Sequence, residues 1–145
     1  MKDKYDSLKL DNQLCFPLYA VSREVIKRYR PYLEELGLTY TQYIVMMVFW
    51  EEKKINVKEL GKKLYLDSGT LTPVLKSLEA KGYVNRFRSP EDERVLVVEV
   101  TPQGEALKDR AVAVPKQMAG CVSLSPDEAM QLYKLLYKIL KNRTE

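Results

Sequence analysis

The sequence predicts a mainly α-helical protein with one small β-hairpin, arranged as a winged helix-turn-helix between N- and C-terminal dimerisation helices. Three observations predict it. Two short helical segments, VKELGKKL and SGTLTPVLKSLEAKG, follow one another closely. Two alternating segments, Tyr83 to Arg88 and Val95 to Val100, come next, joined by the polar turn SPEDER. Long apolar stripes at helical spacing flank this centre on both sides.

Each element has a local reason. Leu10, Leu14, Leu18, Val21, Val25 and Tyr29 recur in steps of three and four, which predicts a helix from Ser7 or Asn12 to about Tyr32. Pro17 has no N–H to give the carbonyl of Gln13 and is expected to kink that helix beside Cys15. Gly37 separates it from a second helix capped by Thr39 or Thr41, whose YIVMMVFW core is apolar all round and therefore buried. Asn56 is placed to cap the third helix, and Asp67 or Ser68 the fourth, which Gly82 stops. Pro73 falls near that helix's first turns, where proline is tolerated. After Thr101-Pro102 a helix carries Leu107, Ala111, Val114 and Met118, with a bend expected at Pro115. Ser125-Pro126-Asp127-Glu128 opens a last helix bearing Leu132, Leu135, Leu136, Ile139 and Leu140.

At 145 residues the chain suits a single unit, 1–145, with enough core to stand without disulfide staples. Residues 1–35 and 102–145 are the expected dimerisation helices, and 40–100 the DNA-binding core. A compact winged helix has no use for both flanking stripes, so a two-fold partner is expected to cover them. No apolar run reaches the length of a membrane span, and MKDKYDSLKLDNQL lacks the apolar centre of a secretory signal. A cytoplasmic location is expected, and Cys15 and Cys121 are read as thiols.

What is missing narrows the chemistry. There is no histidine, which removes a Ser-His-Asp triad, a Cys-His pair and a His-ligated metal. Two distant cysteines cannot make a zinc site of four thiolates. None of the six glycines builds a Walker loop or GxGxxG. Neither an enzyme nor a cofactor or metal is expected. The net charge of +4 permits nucleic-acid binding without requiring it.

The plan itself points to double-stranded DNA. The segment from Ser68 to about Lys81 is the candidate recognition helix, with a small polar start at Asp67, Ser68, Thr70 and Thr72 and with Lys76 further along. Hydroxyls there reach base edges or phosphates, and the positive end of the helix favours phosphate. The same residues also serve as a cap and first turn in any helix. Arg86 and Arg88 share one face of a strand, and Asp92 can hold Arg94 at the wing tip, where arginine suits the narrow minor groove. An ordinary solvated ion pair is the plainer account of that turn. A dimer would dock on a pseudo-palindrome with half-sites about 34 Å apart or a multiple of that.

LYLDSGTLTPVLKSLEAKGYVNRFRSPEDERVLVVEVTPQG resembles the MarR family of winged-helix regulators, with Asp92 and Arg94 on that family's wing aspartate and arginine. LDNQLCFPLYAVSREVIKRYRPYLEELGLTYTQY resembles its organic-hydroperoxide-sensing, OhrR-type branch. The resemblance implies that Cys15 is the redox sensor and that Tyr29 and Tyr40 hydrogen-bond its thiolate, the reactive form. Taken alone, Cys15 reads as a small buried hydrophobe and the tyrosines as core aromatics. The resemblance further implies an apolar hydroperoxide pocket lined by Phe16, Tyr19, Tyr29, Tyr40 and Met46. Cys121 stands where two-cysteine members carry a resolving thiol, and it also reads as an idle thiol at a helix end. The expected function is a repressor released from its operator when organic hydroperoxide oxidises Cys15. The alternatives are a regulator answering a small aromatic ligand, a general redox or virulence-type regulator using the same cysteine, and a thiol peroxidase, against which the missing histidine and the wing both argue.

Overall fold

A computed structural model describes residues 3–142. The outermost positions of both expected dimerisation segments, 1–2 and 143–145, lie outside the described residues. The chain opens with two single 3-10 turns, Asp6–Leu8 and Leu10–Asn12, followed by α1 (Cys15–Glu34) and α2 (Tyr40–Glu52). A short strand β1 (Lys54–Asn56) leads into α3 (Val57–Leu64) and α4 (Ser68–Ala80). The hairpin strands are β2 (Val84–Arg88) and β3 (Leu96–Val100), and α5 (Pro102–Ala111), α6 (Val114–Gln117) and α7 (Pro126–Lys141) complete the chain.

Helix starts follow their caps. Thr39 and Gln42 form a capping box on α2, and Ser125 and Glu128 another on α7. Asn56, Asp67 and Thr101 each accept a backbone N–H from the third residue of α3, α4 and α5. The alternatives Thr41 and Ser68 are first-turn residues and not caps.

Three expectations are corrected. The first helix starts at Cys15, not at Ser7 or Asn12, and runs to Glu34 beyond Tyr32. Leu10 and Leu14 precede it, so Pro17 falls in its first turn, where a missing N–H disturbs no helical bond, and the expected kink has no cause. Pro115 does not bend one helix but opens a separate one, because α5 ends at Ala111. The hairpin is part of a three-stranded antiparallel sheet ordered β1-β3-β2, in which Ile55 and Arg86 flank Val98.

The core gathers around α2, which is apolar nearly all round as expected. Val45, Met46 and Phe49 are fully buried between Leu60 of α3, Leu71, Leu75 and Leu78 of α4, Val84 and Val98 of the sheet, and Leu107 of α5. Burial of side chains of this size stabilises by about 1.5–3 kcal/mol each. Trp50 donates its indole N–H to the carbonyl of Gly104 at 2.9 Å, fastening α2 to α5. Only glycine fits there, since a Cβ would stand 2.2 Å from the carbonyl oxygen of Tyr83.

The flanking stripes stay uncovered. Leu14, Leu18, Val21 and Ile26 along the first helix are exposed, and so are Leu132, Leu135, Leu136 and Ile139 of α7. No residue of α7 is buried. Among the described residues, no helix is long and apolar enough to cross a membrane.

Two carboxylates hold α4 in place. Asp67 accepts from the Thr70 N–H at 2.7 Å, and the Thr70 bonds hold its carboxyl below the ordinary range. Glu79 accepts from the Arg86 guanidinium at 3.1 and 3.2 Å and from its backbone N–H at 3.1 Å, which lowers its carboxyl likewise. A depressed folded pKa gives stability that is complete above the unfolded carboxylate pKa and lost as pH falls through the folded one. The melting midpoint is therefore expected to drop as pH falls from 5 toward 3, and Asp67→Asn, which keeps the cap without the charge, to flatten that drop while leaving the midpoint at pH 7 nearly unchanged. A drop equally steep in Asp67→Asn would contradict this account of the cap.

Candidate nucleic-acid interface and redox site

Several residues expected to read DNA line grooves where α3, α4 and the wing meet. A groove of about 320 Å³ is lined by Asn56, Lys58, Ser68, Thr72 and Arg94 among others. A second, of about 620 Å³, runs between α3 and the start of α4 past Lys58, Lys62, Asp67 and Ser68. The two share Lys58 and Ser68, so they form one continuous polar edge.

Within that edge the predicted residues divide by what already holds them. Asp67 and Thr70 are joined at the helix start, and Thr72 donates its hydroxyl to the Ser68 carbonyl at 2.7 Å. These are cap and first-turn bonds, and the hydroxyl of Thr72 keeps its lone pairs as acceptors. Ser68 and Lys76 are exposed.

At the wing tip Arg94 makes a two-pronged pair with Asp92, Nε to Oδ1 at 3.0 Å and Nη2 to Oδ2 at 3.2 Å. Arg94 is nonetheless 90% exposed, so it is aimed outward and not consumed by the pair. Asp92 is held below the ordinary carboxylate range by Arg94. Arg88 is exposed at the end of β2.

Arg86 is different. It shares its strand face with Arg88, as expected, but that face also carries fully buried Val84 and lies against α4. Its guanidinium is engaged by Glu79, so Arg86 ties the hairpin to the recognition helix and is corrected from a DNA contact to a structural one. Sequence reading passed over Lys58 and Lys62, whose signal was a basic residue one or two turns into the first helix of the pair.

The residues expected to sense oxidant do not assemble within one chain. Cys15 is the first residue of α1 and is exposed. Tyr29 lies nearly four turns along the same helix, about 21 Å at the usual rise per residue. Tyr40 sits beside Tyr29, ring centroids 4.9 Å apart, and Tyr43 joins them at 5.9 and 6.3 Å. Burial raises all three phenols above their ordinary pKa, so they remain neutral O–H donors at neutral pH. Tyr43 was not singled out from sequence because its spacing reads as core.

Cys121 lies just beyond Gly120 in the turn between α6 and α7, half-buried against the core. It is near enough to Tyr29 to perturb that phenol, and Arg28 donates to its carbonyl. The second thiol is thus on the tyrosine side of the molecule, and the first is at the far end of α1.

The expected hydroperoxide pocket does not close within one chain. Phe16 and Tyr19 are exposed on an open groove of about 550 Å³ along α1. Tyr40 lines a groove of about 360 Å³ with Leu38, which adjoins the first one at Ile26 and Arg30. Met46 is fully buried in the core and lines neither. No ring of three or more metal-ligating side chains occurs among the described residues.

The sequence profile of the SarA/Rot transcriptional regulators matches residues 27–111. An organic hydroperoxide resistance transcriptional regulator of Bacillus subtilis is 46% identical over 141 residues, 97% of this chain and 96% of that one. AbfR of Staphylococcus epidermidis, solved overoxidised on DNA, is 37% identical with a TM-score of 0.77 over 96% of this chain and 98% of that chain. Its disulfide form is 36% identical with a TM-score of 0.65, covering 94% and 96%. A MarR variant from E. coli complexed with operator DNA is 28% identical with a TM-score of 0.81, covering 96% and 99%. With a wing, an outward arginine at its tip and near-full-length identity of this order, the chain belongs to the MarR family of transcriptional regulators, in its OhrR-type branch.

Proposed function

We propose that the protein is a homodimeric repressor that binds double-stranded operator DNA and lets go when organic hydroperoxide oxidises Cys15. The observation that carries this reading is the position of Cys15. It is exposed at the head of a helix on which Leu18 and Val21 continue an apolar stripe from Leu14 and stay exposed, with Phe16 exposed on another face. Residues 1–35 and 102–145 form the interface between subunits, and 40–100 read the DNA. A cytoplasmic setting, where thiols stay reduced, fits a sensor of this kind.

In such a dimer Tyr29 and Tyr40 serve the sulfur of the opposite subunit, since their own is out of reach. Neutral phenols donate to the thiolate, and the positive end of α1 adds to its stabilisation. The thiolate attacks the hydroperoxide, the O–O bond breaks and an S–O bond forms. Sulfur is oxidised by two electrons, and the alkoxide takes a proton and leaves as the alcohol. A sulfur that reaches Tyr29 across the interface also arrives beside Cys121, whose thiol can displace water from the sulfenic acid to form an intersubunit disulfide. The structure solved for disulfide-formed AbfR supports this role. The altered sulfur shifts the helices at the interface, and the two copies of α4 lose the spacing the half-sites require.

Two outcomes are expected. Cys15→Ser binds the operator like the parent in a mobility shift and stays bound in organic hydroperoxide, whereas Cys121→Ser loses the disulfide-linked dimer on a non-reducing gel. Release of Cys15→Ser at the parent's rate would refute the sensor assignment. Arg94→Ala, which removes one contact from each subunit, is expected to weaken binding to all sequences and lower the salt slope by about 1.8, while Arg86→Ala lowers stability and leaves the slope alone. The reverse pattern would mean that the wing was misassigned.

A further inference from the structure

Gln42 is the one buried polar or charged side chain among the described residues. Such a group is tolerated when its polar atoms are hydrogen-bonded, and both of its amide heavy atoms have partners. Its carbonyl oxygen accepts from the Thr39 N–H at 3.0 Å and from the Lys81 ammonium at 3.1 Å. Its amide nitrogen donates to the Ser77 hydroxyl at 2.9 Å. Lys81 also donates to the carbonyl of Gly37. One amide thus joins the turn before α2, the first turn of α2, and the last turn of the recognition helix α4.

Capping explains only half of this. The bonds with Thr39 complete a capping box that any surface helix can have. The bonds to Ser77 and Lys81 reach across to a different helix, and they are the part that capping leaves unexplained. Tyr40 stands two residues before Gln42, and two residues turn a helix by about 200°. The first turn of α2 therefore presents Tyr40 to Tyr29 of α1 on one side and Gln42 to Ser77 of α4 on the other.

We propose that Gln42 is a positioning residue that passes displacement of Tyr40 to the recognition helix. When the sulfur bonded by Tyr40 is oxidised, the first turn of α2 shifts. The paired bonds to Ser77 and Lys81 make α4 shift with it instead of letting the two helices slide. A side chain that only filled space would allow that slip, because apolar contacts are not directional. The inference rests on oxidation of Cys15 being the release signal, and it adds the route by which that signal reaches α4.

The test uses the full-length dimer and the promoter beside its own gene, with cumene hydroperoxide as oxidant. Operator affinity is measured before and after oxidation, and oxidation of Cys15 is followed by intact mass. Gln42→Met and Ser77→Ala are expected to oxidise at the parent's rate and to bind in the reduced state within about threefold of it. Their loss of affinity on oxidation should shrink by about tenfold, within the usual range of coupling between sites. Gln42→Glu, which still accepts from Thr39, Ser77 and Lys81, should restore the parent's ratio. Ser77→Ala leaves the α2 cap intact and keeps the test decisive should Gln42→Met fold poorly. Parent-like release in Ser77→Ala, or in Gln42→Met, overturns the inference alone. A parent that stays bound once Cys15 is oxidised overturns the release signal and the inference together.

Discussion

The rest of the account depends on the length of α1. A helix is a rigid spacer, and this one holds the Cys15 sulfur and the Tyr29 ring far beyond any side-chain contact. One chain therefore carries both halves of the proposed sensing site and cannot close it. The same helix leaves an apolar stripe exposed beside the thiol, and α7 has no buried residue. The apolar surface that calls for a second copy is continuous with the sulfur that needs one. In the proposed function, dimerisation and sensing rest on this one geometric fact.

The opposite end of the molecule is built for stiffness. Around α2, close-packed apolar side chains from three helices and two strands fix the orientation of α4. Glu79 and Arg86 pin the hairpin to that helix, and Asp92 limits where Arg94 can point. A reading head of this kind binds well only when its partner head stands at the right distance. A modest rearrangement at the interface thus gives a large change in grip, without any need to deform the head itself.

Local signals carried most of the fold. Thr39, Asn56, Asp67 and Ser125 cap helices at positions the sequence offered as caps, because a cap and its target N–H lie within three residues. Tertiary facts were not legible. The spacing of Leu10 and Leu14 fits a helix, yet those residues fall in or beside 3-10 turns, and periodicity alone does not separate the two. The strand Lys54–Asn56 is too short to show alternation and exists because Val97 to Glu99 offer it a partner. Arg86 looked free since Glu79 is distant in pattern though not in space, and Met46 looked like a pocket residue though it is sealed in the core. Cys15, Tyr29 and Tyr40 were found by family resemblance. Their separation along α1 is the reason the proposed site is placed between subunits.

That sharing between subunits is measured most directly in a mixed dimer. One subunit carries Cys15→Ser and intact tyrosines, and the other carries Tyr29→Phe and Tyr40→Phe with Cys15 intact. Differently tagged chains allow the heterodimer to be isolated and the oxidation of its single remaining Cys15 by cumene hydroperoxide to be timed. A site built across the interface predicts oxidation at the parent's rate, because that sulfur meets the tyrosines of the other chain. Oxidation as slow as in a dimer carrying both phenylalanine substitutions on each chain would place the site within one subunit and contradict the account.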